Sequence, residues 1–155
     1  MVLVLLVIYT ALQAQTSPLN CVPDYLSSSD YNSKIINITP GTLASALTPN
    51  ELITVTHLTV TGSMDARDIK TMRDLMPELI SVDLSGVSIS AYTGTGGTYN
   101  TSNNTYPANT FPRNGFYNKS SLSDIILPVN LTAIARSGLN SCTSLTSVTL
   151  PTGMN

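Results

Sequence analysis

One ten-residue pattern recurs at an offset of 23 residues, and nothing else in the chain constrains its fold as strongly. Leu122, Ile125, Leu127 and Pro128 fall on Leu145, Val148, Leu150 and Pro151, and Gly115 with Phe116 falls on Gly138 with Leu139. The shared core is a leucine, a β-branched residue three places on, and a leucine two places later. It recurs at Leu79, Val82 and Leu84, and more loosely at Val55, Leu58 and Val60. The steps between the four copies are 24, 43 and 23 residues, the long one being a period with about twenty residues inserted.

The last core positions of each copy alternate inward, outward, inward, as a short strand does. One such strand cannot bury its apolar face alone. Stacked in parallel, the copies join Leu58, Val82, Ile125 and Val148 into one ladder. Val60, Leu84, Leu127 and Leu150 make a second, and Val55, Leu79, Leu122 and Leu145 a third. Burying each such side chain contributes roughly 1.5–3 kcal/mol, so a stack can replace a globular core. The expected fold is an α/β repeat: a solenoid of short parallel strands in residues 35–155.

The pattern resembles the leucine-rich repeats, and within them the BspA-like class of bacterial surface proteins. Cys142, Leu145, Val148, Leu150 and Pro151 match that class's repeat in full, with Ile134 and Gly138-Leu139 standing for its isoleucine and its Ala/Gly-Phe pair. In the preceding copy Lys119 replaces the cysteine, while Phe116 keeps the aromatic. The match is specific over residues 115–151 and weaker over 55–86. The resemblance implies a parallel-strand solenoid, an exported protein, and surface adhesion or binding of a host or microbial protein or glycan without catalysis. It implies no cofactor. A spacer or orphaned array fragment without a ligand of its own is the other reading.

Upstream the chain departs from that pattern. Ser63 or Asp65 can cap a helix, Asp65 and Asp68 suit its positive end, and Ile69, Met72 and Met76 share one face with Leu75 beside them. Pro77 ends it. Strand, helix and parallel strand then make a βαβ unit with the helix on the convex side. A second short helix is expected at residues 42–47 after Pro40-Gly41, and Ile35, Ile36 and Ile38 suit a strand, so residues 35–50 are the expected N-terminal cap. The chain stops just past the last strand, which leads us to expect a fragment of a longer array, with an uncapped strand open to end-to-end self-association.

The insertion at residues 87–112 is rich in Gly, Thr and Asn and has no apolar periodicity, so a long surface loop is expected there. Tyr92, Tyr99 and Tyr106 recur every seven residues, and tyrosines in small polar loops suit contact surfaces. Gly94, Gly96 and Gly97 make no phosphate loop, since no Lys-Ser/Thr follows. Strand alternation places His57, Ser81, Asp124 and Ser147 in one outward column and Thr59, Asp83, Ile126 and Thr149 in the next. Leucine-rich repeats bind through this face. The candidate ligand-binding residues are therefore His57, Asp83, Asp124 and Ile126, joined by Tyr92, Tyr99 and Tyr106 if the insertion reaches the strand face.

Charge and composition exclude other classes. Seven basic against nine acidic side chains give a net charge of −2, with no basic patch for nucleic acid. Charged residues are 10% of the 155, and Ser and Thr are about a quarter, which favours strands and turns. Of the reactive side chains, the lone His57 stands among threonines, and no nucleophile-elbow, zinc or calcium-loop spacing occurs, so neither a catalytic nor a metal site is expected. Residues 1–14 suit a secretory signal: the apolar run Met1 to Ile8 is too short to span a bilayer, and Ala14 stands where a signal peptidase could cut, although no basic residue precedes the run. Export followed by a Ser-rich lead segment at 15–34 is the expectation, with no transmembrane helix. Export would allow Cys21 and Cys142 to pair; Cys142 falls at a packing position of the repeat, which favours two unpaired thiols. Asn37, Asn100, Asn103, Asn118 and Asn130 lie in Asn-x-Ser/Thr triplets, which matter only in a eukaryotic source.

Overall fold

The structure, a computed structural model, describes residues 32–99 and 103–154. The expected signal segment, Cys21 and nearly all of the lead segment lie outside the described residues. In chain order the strands are β1 (Ser33–Ile38), β2 (His57–Met64), β3 (Ser81–Ile89), β4 (Tyr92–Gly94), β5 (Asn104–Tyr106), β6 (Thr110–Phe111), β7 (Asp124–Ile126), β8 (Ala133–Ile134) and β9 (Ser147–Thr149). The helices are α1 (Leu43–Ala46), α2 (Pro49–Thr54) and α3 (Ala66–Leu75). The architecture is α/β. A five-stranded sheet runs in the order β1-β2-β3-β7-β9 with every pair parallel, and it is not curled.

The four repeat cores each hold a strand of this sheet in the expected order, with the first ladder in the expected register; β2 and β3 slip register between Thr59 and Thr61, at Val60 of the second ladder. Val82 lies between Leu58 and Ile125, and Ile125 pairs with Val148. Leu58, Val60, Val82, Leu84, Ile125 and Leu127 are buried on one face of the sheet. Ile69, Met72 and Met76 of the α3 segment are buried in the same core. Leu75 does not join them: it is 47% exposed, because the turn of the helix carries it past the core face. In the last copy the ladder also loosens. Val148 is 40% and Leu150 50% exposed, since β9 is the edge of the sheet and only β7 packs beside it.

Asp65 is the N-cap of α3. Its carboxylate accepts the Arg67 N–H at 2.8 Å, and Asp68 returns the bond by accepting the Asp65 N–H at 2.9 Å. The same reciprocal box starts α2, between Thr48 and Glu51, with Pro49 in the first turn. The sequence reading gave this stretch no helix, although Thr48-Pro49-Asn50-Glu51 carries the capping signature. Lys34 on β1 pairs with Glu51 and ties α2 to the edge strand. That contact, with the Thr48 N–H and hydroxyl behind it, holds the Glu51 carboxyl down at about 2. β1 takes in Ser33 and Lys34 ahead of the expected isoleucines and pairs with β2 from Ser33 to Ile38.

The 23-residue offset governs more than the strands. β6 pairs in parallel with β8, Thr110 opposite Ala133 and Phe111 opposite Ile134. Past these two strands the main chain continues to stack: Phe116 N–H donates to the Gly138 carbonyl at 2.7 Å and Asn118 N–H to that of Asn140 at 3.0 Å. Asn114 and Asn118 take positive φ (55° and 61°), and so do Ser137 and Ser141 (58° and 60°), each 23 residues further on. Residues of different type thus adopt the same uncommon conformation at matched positions, because the stacked turns impose it.

Candidate functional site

On the open side of the sheet, His57, Ser81, Asp124 and Ser147 pair in one row, and Thr59, Asp83, Ile126 and Thr149 in the next. Among the described residues no helix covers this face. The Thr56 hydroxyl lies 3.0 Å from Nδ1 of His57. One Asp83 oxygen accepts the Ser85 N–H at 2.8 Å, at the place where β2 and β3 slip register between Thr59 and Thr61. Asp124 accepts from the neighbouring Ser123 hydroxyl. Ile126 is exposed beside them, a single apolar side chain on a polar row.

The tyrosines lie elsewhere, which corrects the expectation of a joint site. β3 runs on to Ile89, with Val87 and Ile89 buried, so the first residues of the expected insertion are strand. Beyond it β4 and β5 form an antiparallel hairpin with Tyr92 opposite Tyr106, their rings stacked at 6.0 Å. The hairpin packs along α3. The Arg67 guanidinium sits 4.7 Å from the Tyr92 ring centroid, and Arg73 donates to the Thr98 carbonyl at 2.8 Å. Because α3 covers the core face of the sheet, Tyr92, Tyr99 and Tyr106 are separated by the sheet from Asp83, Asp124 and Ile126. The hydroxyls of Tyr92 and Tyr106 are spent on the chain itself, accepting the Gly96 N–H at 3.0 Å and the Tyr99 N–H at 2.9 Å. The glycines serve this folding: a Cβ on Gly97 would come within 2.4 Å of the Tyr106 ring.

The structure does bring the tyrosines to a second feature that the sequence reading did not single out. Arg113 follows β6 and its guanidinium lies 3.5 Å from the Tyr99 ring centroid. Its Nε is buried and has no hydrogen-bond partner among the described residues. With Tyr99, Tyr106, Pro107, Thr110 and Pro112 it lines a cleft of about 140 Å³. Backbone clamps fix the cleft wall. Thr98 donates its hydroxyl to the Arg113 carbonyl at 2.6 Å, and Arg73 reaches across to the Asn114 carbonyl at 2.6 Å. No sequence signal marks Arg113, since its position depends on which turn the hairpin folds over.

Among the described residues no group of three or more His, Cys, Asp or Glu side chains is placed to hold a metal ion, and no helix is long and apolar enough to cross a membrane. Among the described residues Cys142 forms no disulfide; its thiol donates to the Phe116 carbonyl at 3.0 Å, and burial pushes its pKa up. No protein-family model matches the chain, and no curated protein matches it either.

Proposed function

We propose that this chain is an exported, non-catalytic repeat module of the leucine-rich type, resembling the BspA-like surface proteins, which binds a protein or glycan at a cell surface. The observation that carries the reading is the strand face, which no helix of the described residues covers. Four copies of one sequence pattern set their outward residues in two straight rows, His57 to Ser147 and Thr59 to Thr149. Repetition of this kind presents a broad surface whose contacts add across copies. The conformational match 23 residues apart, from Asn114 and Asn118 to Ser137 and Ser141, supports the repeat family. The rows are small and polar, with no aromatic or arginine anchor, so affinity per strand is low.

An immobilised full chain probed with a surface-glycan array and a panel of extracellular-matrix proteins tests this. Binding of at least one member, weakened by the double change Asp83→Lys and Asp124→Lys at unchanged Tm, supports it. Absence of binding across both panels overturns it, and binding indifferent to the double change removes the strand face from the reading.

A further inference from the structure

The cleft beside Arg113 has what the strand face lacks. Arginine is the side chain suited to planar, two-point recognition of a carboxylate. Here the guanidinium is stacked on Tyr99 but makes no hydrogen bond or ion pair among the described residues. Its counterparts on α3 are engaged: Arg67 pairs with Asp65 at 2.6 Å and Arg73 with Asp74 at 2.6 Å. The groove beside α3 is roomier, at about 320 Å³, but its Arg67 and Asp74 are paired, and the other charge that lines it, Lys70, is a point ammonium without the planar fork of an arginine.

The walls say what else the ligand carries. Pro107, Pro112 and the Tyr106 ring are apolar surface, and Asn104, Thr105 and Thr110 are polar, Thr110 giving its hydroxyl to the Ala108 carbonyl at 3.3 Å. A space of about 140 Å³ takes something the size of one six-membered ring with its substituents. Apolar walls, polar side chains beside them and a cation whose Nε has no partner among the described residues suit a pyranose that bears a carboxylate. The support is preformed: the Thr98 hydroxyl and the Arg73 guanidinium hold the Arg113–Asn114 backbone from the α3 side, so binding orders little further.

We propose that this cleft binds a hexuronic acid, as a terminal or branching acidic sugar of a surface glycan, with Arg113 taking the carboxylate and Tyr106, Pro107 and Pro112 flanking the ring. The proposal rests on reading the chain as a non-catalytic binding module, and it places an acidic-sugar site on the opposite side of the sheet from the strand rows.

The test is an NMR titration of the full ¹⁵N-labelled chain with glucuronate, glucose and acetate. Glucuronate is expected to give saturable shifts at the Arg113 Nε–H and the Tyr99 amide, with glucose and acetate each weaker by about tenfold or more. Arg113→Lys keeps the charge but loses the fork, and should weaken glucuronate by about tenfold with Tm unchanged. Asp83→Lys with Asp124→Lys should leave it unaltered. Equal affinity for glucose refutes the carboxylate contact, and equal affinity for acetate refutes the ring pocket. Absence of glucuronate shifts, or a glucuronate affinity indifferent to Arg113→Lys, overturns the site. In either case array binding that still depends on Asp83 and Asp124 leaves the module reading standing.

Discussion

Asp68 accepts the backbone N–H of Leu43 at 2.9 Å, and the two residues, both buried, weld the first turn of α1 to the first turn of α3. The other carboxylate oxygen takes the Gly41 N–H at 2.7 Å and the Asp65 N–H at 2.9 Å. One side chain thus satisfies three main-chain donors from two segments. Helix starts need such acceptors because their first N–H groups have no partner within the helix.

Asp68→Ala should therefore cost about 3–5 kcal/mol, since each buried donor left unmet costs about 1–3 kcal/mol and water can reach some of them. Asp68→Asn keeps one acceptor and should cost clearly less. Urea unfolding of both variants measures this; equal and small losses would show that the carboxylate is not the joint.

Gly62 makes a different demand on the same region. It sits in β2 at φ +91°, and a Cβ there would lie 2.5 Å from the Ile38 carbonyl oxygen. The close approach lets β1 pair with β2 along its whole length, Ile38 opposite Gly62. Gly62→Ala should cost more than about 2 kcal/mol, combining unfavourable backbone with a contact that neither strand can relieve. A melting shift as small as that of an exposed loop substitution would contradict the close approach.

The strand register can be tested with two aspartates. Leu84 is fully buried at the centre of the sheet, while Thr149 points outward from the edge strand. Leu84→Asp should lower stability by more than about 4 kcal/mol, because the charge has no partner in the core. Thr149→Asp should stay within about 0.5 kcal/mol. Comparable losses in the two melting curves would mean the faces are assigned the wrong way round.

What the sequence made legible was whatever depends on period. The repeat cores gave the strands, their parallel pairing, and which side of Val82 and Ile125 faces the core. The start of α3 was legible to within Ser63 or Asp65, because helix starts need acceptors at fixed offsets, and the cap is Asp65. Two kinds of feature were not. The Tyr92–Tyr106 hairpin has no apolar periodicity, and its place on α3 is set by contacts to Arg67 and Arg73 some 25 residues away. Arg113 acquires its setting in the same way, by a turn that folds over Tyr99. The expected meeting of the tyrosines with Asp83 and Asp124 failed for a physical reason: aromatic rings beside a half-covered helix bury more apolar area there than on an open polar strand face.

Lys119 occupies the place that Cys142 holds one repeat later, and it is buried. Its ammonium donates to the Met76 carbonyl at the end of α3, an oxygen that already accepts the Leu79 N–H at 3.2 Å. Burial lowers the Lys119 pKa, and the nearby charges of Asp74 and Glu78 oppose that shift without cancelling it. A lowered folded pKa means the folded state sheds this proton more readily than the unfolded chain. Below the folded pKa the full penalty applies; it lifts as pH rises towards the unfolded value of about 10.4 and is gone above it. Lys119→Met keeps the length of the side chain, removes the buried charge, and leaves the Met76 oxygen with its Leu79 partner. The variant should be more stable than the natural chain by about 1 kcal/mol near neutral pH. Its advantage should shrink as the pH approaches about 10, because the natural lysine is then losing its charge too. Thermal melts of both proteins across that range check the sign, and an advantage that grows with pH, or a variant less stable at neutral pH, would show that the ammonium–carbonyl contact outweighs the cost of burying the charge.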